Sequence, residues 1–303
     1  MTSDDISAPS VSGAPVRIRN IAHRGLWSAT VPQNTLEAFR LAWAAGATWV
    51  ETDFHRTKAG QMVCVHAERE LEAYTGCTKA IADLSPEEVA ALRLDPFRPG
   101  APAHVAPPCP GAAEPGAAAE TAAPGSAGDA PQDGFRLPLL GEVLATVPPH
   151  GTLQAEIKGY APDYPELFDS AVRAAGLSEE NVVVSSFQFD ALADFHRRLP
   201  SYRTLLLVGV PKDGETDVLG KVAQCREAGI GAFCPGLTGG DRPLSAEELA
   251  AVRAAGLSYR VYGVNAPEAL RIARDTGAGA FTCNFWREAF AWARAAGGVE
   301  LLA

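Results

Sequence analysis

From residue 134 onward, short apolar runs alternate with stretches of helical length, and no other property of the chain restricts its fold as much. The runs are TLQAEIK, NVVVSSF, RTLLLVG, GIGAFCP, LSYRVYGV and GAFTC. Amphipathic stretches separate them, among them residues 163–175, 189–199, 246–255 and 267–276. Gly176, Gly229, Gly256 and Gly277 stand where a helix ends in a left-handed residue. A strand that feeds a helix and then another strand returns parallel to itself, so the pattern predicts an α/β fold with a parallel sheet. Three more runs lie upstream: IRNIAH, TWVETDF and MVCVH. Nine strand candidates are one too many for a closed TIM (β/α)8 barrel, but TKAG joins TWVETDF to MVCVH by a connection too short for a parallel crossover. The expected architecture is therefore a TIM (β/α)8 barrel with an antiparallel β-hairpin after strand 2. Folding that hairpin about Ala59–Gly60 puts Asp53 opposite His66, and strand alternation puts Glu51 and Asp53 on one face.

Residues 98–134 break the alternation. Of these 37 residues, 26 are Ala, Pro or Gly, too little apolar surface to offset the entropy of ordering. The segment is expected to be a flexible, disordered insertion within one domain, residues 17–303, because candidate chemistry lies on both sides of it. Residues 1–16 are polar and acidic, without the apolar stretch of an export signal, and are expected to form a disordered tail. A net charge of −10 argues against a nucleic-acid partner, and no apolar run approaches a membrane span. The six cysteines (Cys64, Cys77, Cys109, Cys225, Cys234 and Cys283) form no CxxC pair. They are expected to be free thiols in a reducing, cytoplasmic setting.

The candidate chemistry gathers at strand ends. IAHRG ends an apolar strand in His23 and Arg24, at the end where barrel enzymes carry their catalytic groups. In the PQNTLEAF that follows, Asn34 is expected to cap a helix, with Glu37 completing a capping box. Leu36, Phe39 and Trp43 make that helix's core stripe. Glu51 and Asp53, two apart on one strand, would repel if buried without a cation, and a hard divalent ion would relieve this. Beyond the insertion, QAEIKGY brings Glu156 and Lys158 to another strand end. Two histidines, three carboxylates, an arginine and a lysine suit phosphodiester chemistry. His55 reads as a surface or supporting residue, and His104, His150 and His196 have no functional case.

HRG at 23–25, P-x-N-T at 32–35, E-x-D at 51–53, K-x-G at 58–60, His66 and E-I-K at 156–158 occur in an order that resembles the glycerophosphodiester phosphodiesterases. VVVSSF at 182–187 and, more weakly, VYGVN at 261–265 extend the resemblance. It implies a TIM barrel that hydrolyses glycerophosphodiesters to sn-glycerol 3-phosphate and an alcohol, with roles in lipid and glycerol metabolism. It also implies a divalent metal, Mg²⁺ or Ca²⁺, on Glu51, Asp53 and Glu156. His23 and His66 match the acid/base pair, Arg24 and Lys158 the phosphate contacts, and Tyr262 a residue lining the substrate pocket. In such enzymes the glycerol 2-hydroxyl attacks phosphorus, and water then opens the cyclic phosphate. Three departures stand out: Gln33 where the family has Glu, Ala67 where it has Asp after the histidine, and Thr282-Cys283-Asn284 at the last strand. The alternatives are a lysophospholipase D, a sugar-phosphodiester phosphodiesterase, and a catalytically reduced barrel that only binds phosphodiesters.

Overall fold

The computed structural model describes residues 15–103 and 134–303. The N-terminal tail and nearly all of the Ala/Pro/Gly-rich insertion, including His104 and Cys109, lie outside these residues. Eight parallel strands close on themselves: β1 (Val16–His23), β2 (Trp49–Arg56), β6 (Thr152–Lys158), β7 (Val182–Ser186), β8 (Arg203–Val208), β9 (Ala232–Pro235), β10 (Ser258–Val261) and β11 (Ala280–Cys283). β11 pairs with β1, and β1 with β2 through Ala22 and His23, which completes the barrel. Eight helices follow the eight strands: α1 (Leu36–Ala44), α4 (Leu140–Leu144), α5 (Tyr164–Ala174), α6 (Phe189–Arg198), α7 (Val218–Ala228), α8 (Ala246–Ala254), α9 (Pro267–Thr276) and α10 (Trp286–Ala296). The connection from β2 to α4 carries β3 (Met62–Cys64), α2 (Glu68–Thr75), α3 (Pro86–Ala91), β4 (Arg93–Leu94) and β5 (Phe135–Arg136). β4 and β5 pair antiparallel across the insertion. β12 (Val299–Leu302) runs parallel to the first half of β1. None of β4, β5 and β12 is foreseen by hydrophobic alternation, since each is only two to four residues long.

Local chemistry explains the helices. α9 opens on Pro267, whose missing N–H costs nothing in a first turn, and closes on Gly277 at φ 77°. Phe168 on α5 is fully buried, with its ring 5.7 Å from Phe54, 5.4 Å from Phe195 and 5.8 Å from Tyr202. Its burial contributes about 2–3 kcal/mol between sheet and helices. Along every barrel strand the alternate residues face the lumen. Ile21, Val183, Leu205, Ala232 and Ala280 plug the middle. Below them the guanidinium groups of Arg19, Arg203 and Arg260 lie 5.2, 5.2 and 4.7 Å from the Trp49 ring centre. The carboxylates and histidines gather above this layer, at the C-terminal mouth.

The hairpin forms, but in a register one residue away from the expected one. Phe54 faces Cys64, His55 faces Val63 and Arg56 faces Met62, so the pairing is centred on Ala59 itself. The cause is a three-residue loop: Thr57 N–H donates to Gln61 O at 2.8 Å, and Gly60 takes the left-handed φ of 85° that such a loop requires. Asp53 is therefore not directly opposite His66. His66 lies past the end of β3, in the turn leading to α2, and strand alternation does not set its direction.

At the start of α8, Ser245 and Glu248 form a reciprocal capping box, and Arg242 binds the Glu248 carboxylate through two 2.8 Å contacts. The Arg242 hydrogen bonds hold the Glu248 carboxyl down at about 2, from an ordinary 4.5. A depressed carboxyl contributes stability that is complete above the unfolded-state value and disappears as pH falls through the folded value. Glu248→Gln is therefore expected to be less stable than the parent at pH 7 in urea unfolding. The difference should close between about pH 5 and pH 2, and a constant difference across that range would contradict the assignment.

Candidate active site

β1 delivers His23 to the barrel mouth, and the chain then turns through two left-handed residues, Arg24 at φ 62° and Gly25 at φ 81°. A Cβ on Gly25 would lie 2.6 Å from the Ala38 backbone, so the HRG turn can pack on α1 only with glycine there. Arg24 is held in its uncommon conformation by its partners. Nε lies 3.0 Å from Asp53, Nη1 lies 3.5 Å from Glu70, and Nη1 donates to Gln33 Oε1 at 3.1 Å.

β2 and β6 supply the carboxylates. Their register sets Asp53 beside Glu156 and His55 beside Lys158. Glu51, Asp53 and Glu156 are buried, and each offers a carboxylate oxygen within 4.8 Å of the others. Lys158 Nζ reaches Asp53 Oδ1 at 3.0 Å and Glu156 Oε1 at 2.6 Å. Burial and then the Asp53 charge push Glu156 up to about 8 and Glu51 well above its usual range. Burial alone would raise Asp53 as well, but Arg24 and then Lys158 outweigh it and hold Asp53 well below the ordinary carboxylate value. Three hard oxygen donors, two of them held back from ionisation by burial and by the Asp53 charge, fit a divalent cation.

The two histidines flank this cluster. His23 Nε2 stands 3.7 Å from Glu51 Oε2, while its Nδ1 bonds to Asn284 Oδ1. An amide oxygen can only accept, so Nδ1 carries the proton and Nε2 is the free base. Burial and then the Arg24 charge push His23 down to about 3. The same two causes push His66 down to about 4. His66 Nδ1 lies 3.7 Å from Glu70 Oε2, and its carbonyl accepts a 3.2 Å hydrogen bond from His55 Nε2. His55 thus supports the backbone of His66. Tyr262 is half-buried, with its ring 5.4 Å from that of Phe187, whose face lies 5.9 Å from Lys158 Nζ. A cavity of about 400 Å³ opens beside Lys158, lined by His55, Arg56, Glu68, Tyr160, Ala161 and Tyr164 among others; none of the three carboxylates, His23, His66 or Arg24 lines it.

All eight residues singled out from the sequence therefore surround one barrel mouth. One neighbouring assignment is corrected. Asn34 does not cap α1; Thr35 does, accepting from Ala38 N–H at 3.2 Å. Asn34 instead sits at φ 55°, almost fully buried, donating to Asp53 Oδ2 at 3.1 Å and accepting from Thr52 Oγ1 at 2.9 Å. It is part of the site, and the adjacent threonine, itself a capping residue, was the available signal. Glu70 was also missed, because α2 carries no clear apolar period. Ala67 opens α2 with no side-chain cap, so at this departure the helix start lacks the hydrogen bond that an aspartate in the capping position can supply.

The sequence matches the Glycerophosphoryl diester phosphodiesterase family over residues 23–287. A glycerophosphodiester phosphodiesterase of Caldanaerobacter subterraneus is 29% identical over 190 residues, 62% of this chain and 65% of that protein. A crystal structure from Silicibacter pomeroyi, assigned to the glycerophosphoryl diester phosphodiesterases, shares the fold at TM-score 0.69 and 22% identity, covering 95% of this chain and 96% of that one. An Oleispira antarctica phosphodiesterase, solved in complex with the product sn-glycerol-3-phosphate, has TM-score 0.67 and 17% identity, over 90% of this chain and 96% of that one. No helix among the described residues is long and apolar enough to cross a membrane.

Proposed function

The chain belongs to the glycerophosphoryl diester phosphodiesterase family and is a phosphoric diester hydrolase; from that premise we propose that it hydrolyses small glycerophosphodiesters to sn-glycerol 3-phosphate and an alcohol. The observation that carries this reading is the set of three buried carboxylates, Glu51, Asp53 and Glu156, within 4.8 Å of one another. They would hold Mg²⁺ or Ca²⁺, which when bound supplies charge neutralisation at the phosphoryl oxygens. Arg24 and Lys158, the cations already facing that cluster, bind the remaining phosphoryl oxygens. His23 and His66 move the protons. One takes the proton of the glycerol 2-hydroxyl as its oxygen bonds to phosphorus. The other gives a proton to the departing alcohol oxygen as its bond to phosphorus breaks. Water then opens the cyclic phosphate by the reverse exchange. Tyr262 lines the substrate pocket.

The test is release of glycerol 3-phosphate from glycerophosphocholine, glycerophosphoethanolamine and glycerophosphoinositol, with Mg²⁺, with Ca²⁺ and with EDTA. Turnover of at least one substrate, abolished by EDTA and restored by added metal, is the expected result. Undiminished turnover in EDTA would refute the metal role, and binding of substrate without turnover under either ion would leave only a phosphodiester-binding barrel.

A further inference from the structure

Glu70 is a buried carboxylate that the reading above leaves without a task. It lies on α2, outside the barrel strands, with its side chain 5% exposed. One carboxylate oxygen, Oε2, stands 3.5 Å from Arg24 Nη1 and 3.7 Å from His66 Nδ1. The other, Oε1, is buried with no hydrogen-bond partner among the described residues. His66 stands in the turn just before α2 and Glu70 in that helix's first turn, which brings the two side chains together.

The Arg24 guanidinium touches two carboxylates and one neutral acceptor: Asp53, Glu70 and the Gln33 amide oxygen. Asp53 is also held by Lys158 and belongs to the candidate metal set. Gln33 accepts a hydrogen bond but brings no charge. Glu70 is thus the one of these three partners whose negative charge is not already committed to that set. It reaches the phosphate-facing arginine and the proton-transfer histidine at once.

We propose that Glu70 is a positioning residue, which turns the His66 Nδ1–H toward its carboxylate, leaves Nε2 for proton transfer, and anchors the Arg24 guanidinium. The logic is that of a histidine whose tautomer and ring orientation are set by a carboxylate behind it. A contact of 3.7 Å is longer than a hydrogen bond, as is common before substrate draws such a site together. The proposal rests on the role given to His66 above, and its test separates the two.

The first measurement needs no substitution of Glu70: ¹⁵N NMR of the imidazoles in the intact protein, with the His66 signals identified by their loss in His66→Gln. A pyrrole-like Nδ1 and a pyridine-like Nε2 are expected; the opposite tautomer overturns the proposal. The second compares Glu70→Gln and Glu70→Asp in the metal-loaded enzyme. Glu70→Gln is expected to lower kcat about 10- to 100-fold, with KM within about threefold and Mg²⁺ affinity by calorimetry unchanged. Glu70→Asp, which keeps the charge, is expected to recover most of that loss. Wild-type kcat in Glu70→Gln, or equal losses in both variants, overturns it. Full turnover in His66→Gln would instead overturn the role of His66 itself, while the tautomer still reports whether Glu70 faces the ring.

Discussion

Glu51→Gln is expected to abolish tight binding of Mg²⁺ and Ca²⁺ and to lower turnover by about three orders of magnitude, equivalent to about 4 kcal/mol of transition-state stabilisation. The substitution is nearly isosteric. It keeps an oxygen for the Arg24 backbone N–H, which lies 3.2 Å from Glu51 Oε2, so the fold should survive. It removes one of three anionic donors, and with it a charge that the buried metal-free site accommodates poorly, since burial and Asp53 already oppose ionisation of Glu51. The two effects separate in a thermal unfolding experiment. Added divalent ion should raise the Tm of the parent by mass action and leave that of the variant unchanged, while in EDTA the variant should be at least as stable as the parent. A parent-like rise in Tm with metal in Glu51→Gln would show that Glu51 is not a ligand. Loss of stability in EDTA would show that its charge is structurally paired after all.

The barrel is legible in the sequence because its signals are local and repeated. Apolar runs such as NVVVSSF and RTLLLVG, buried on both faces, and glycines such as Gly229 and Gly277 closing helices recur down the chain. What local reading misplaces is whatever depends on a single residue of loop parity or on tertiary company. The hairpin was expected to turn between Ala59 and Gly60. Its three-residue loop moves the centre to Ala59, and because the chain beyond β3 is free of strand alternation His66 still faces the site. Asn34 and Thr35 are both good caps; the backbone sends Thr35 to α1 and Asn34, left-handed, toward Asp53. Asn284 appeared only as a departure at the last strand, and its task is visible once β1 and β11 lie side by side and bring it to His23. Gln33 is similar: its amide still accepts from Arg24, and the carboxylate that also meets that arginine comes from α2, through Glu70. No periodicity in the sequence links residue 24 to residue 70.

His23→Gln is expected to separate chemistry from metal binding more cleanly than any other substitution in the site. His23 makes no contact with Asp53 or Glu156 among those described, and its Nε2 stays 3.7 Å from Glu51, so the variant should bind Mg²⁺ with an affinity within about threefold of the parent. Turnover should fall by about 10² to 10⁴, the usual contribution of a positioned acid or base. Glutamine can replace the histidine's hydrogen bond to Asn284 but has no basic nitrogen to present at the barrel mouth. Asn284→Ala probes the same atom from behind. Without the amide oxygen the imidazole is no longer held with its proton on Nδ1, and the fraction of molecules with Nε2 free should fall, giving a smaller loss of kcat, about tenfold, at unchanged metal affinity. Stopped turnover with intact calorimetric binding in His23→Gln, and a partial loss in Asn284→Ala, would place the reactive nitrogen at Nε2. Wild-type turnover in His23→Gln would exclude His23 from proton transfer, and the proton would then have to move through His66 alone.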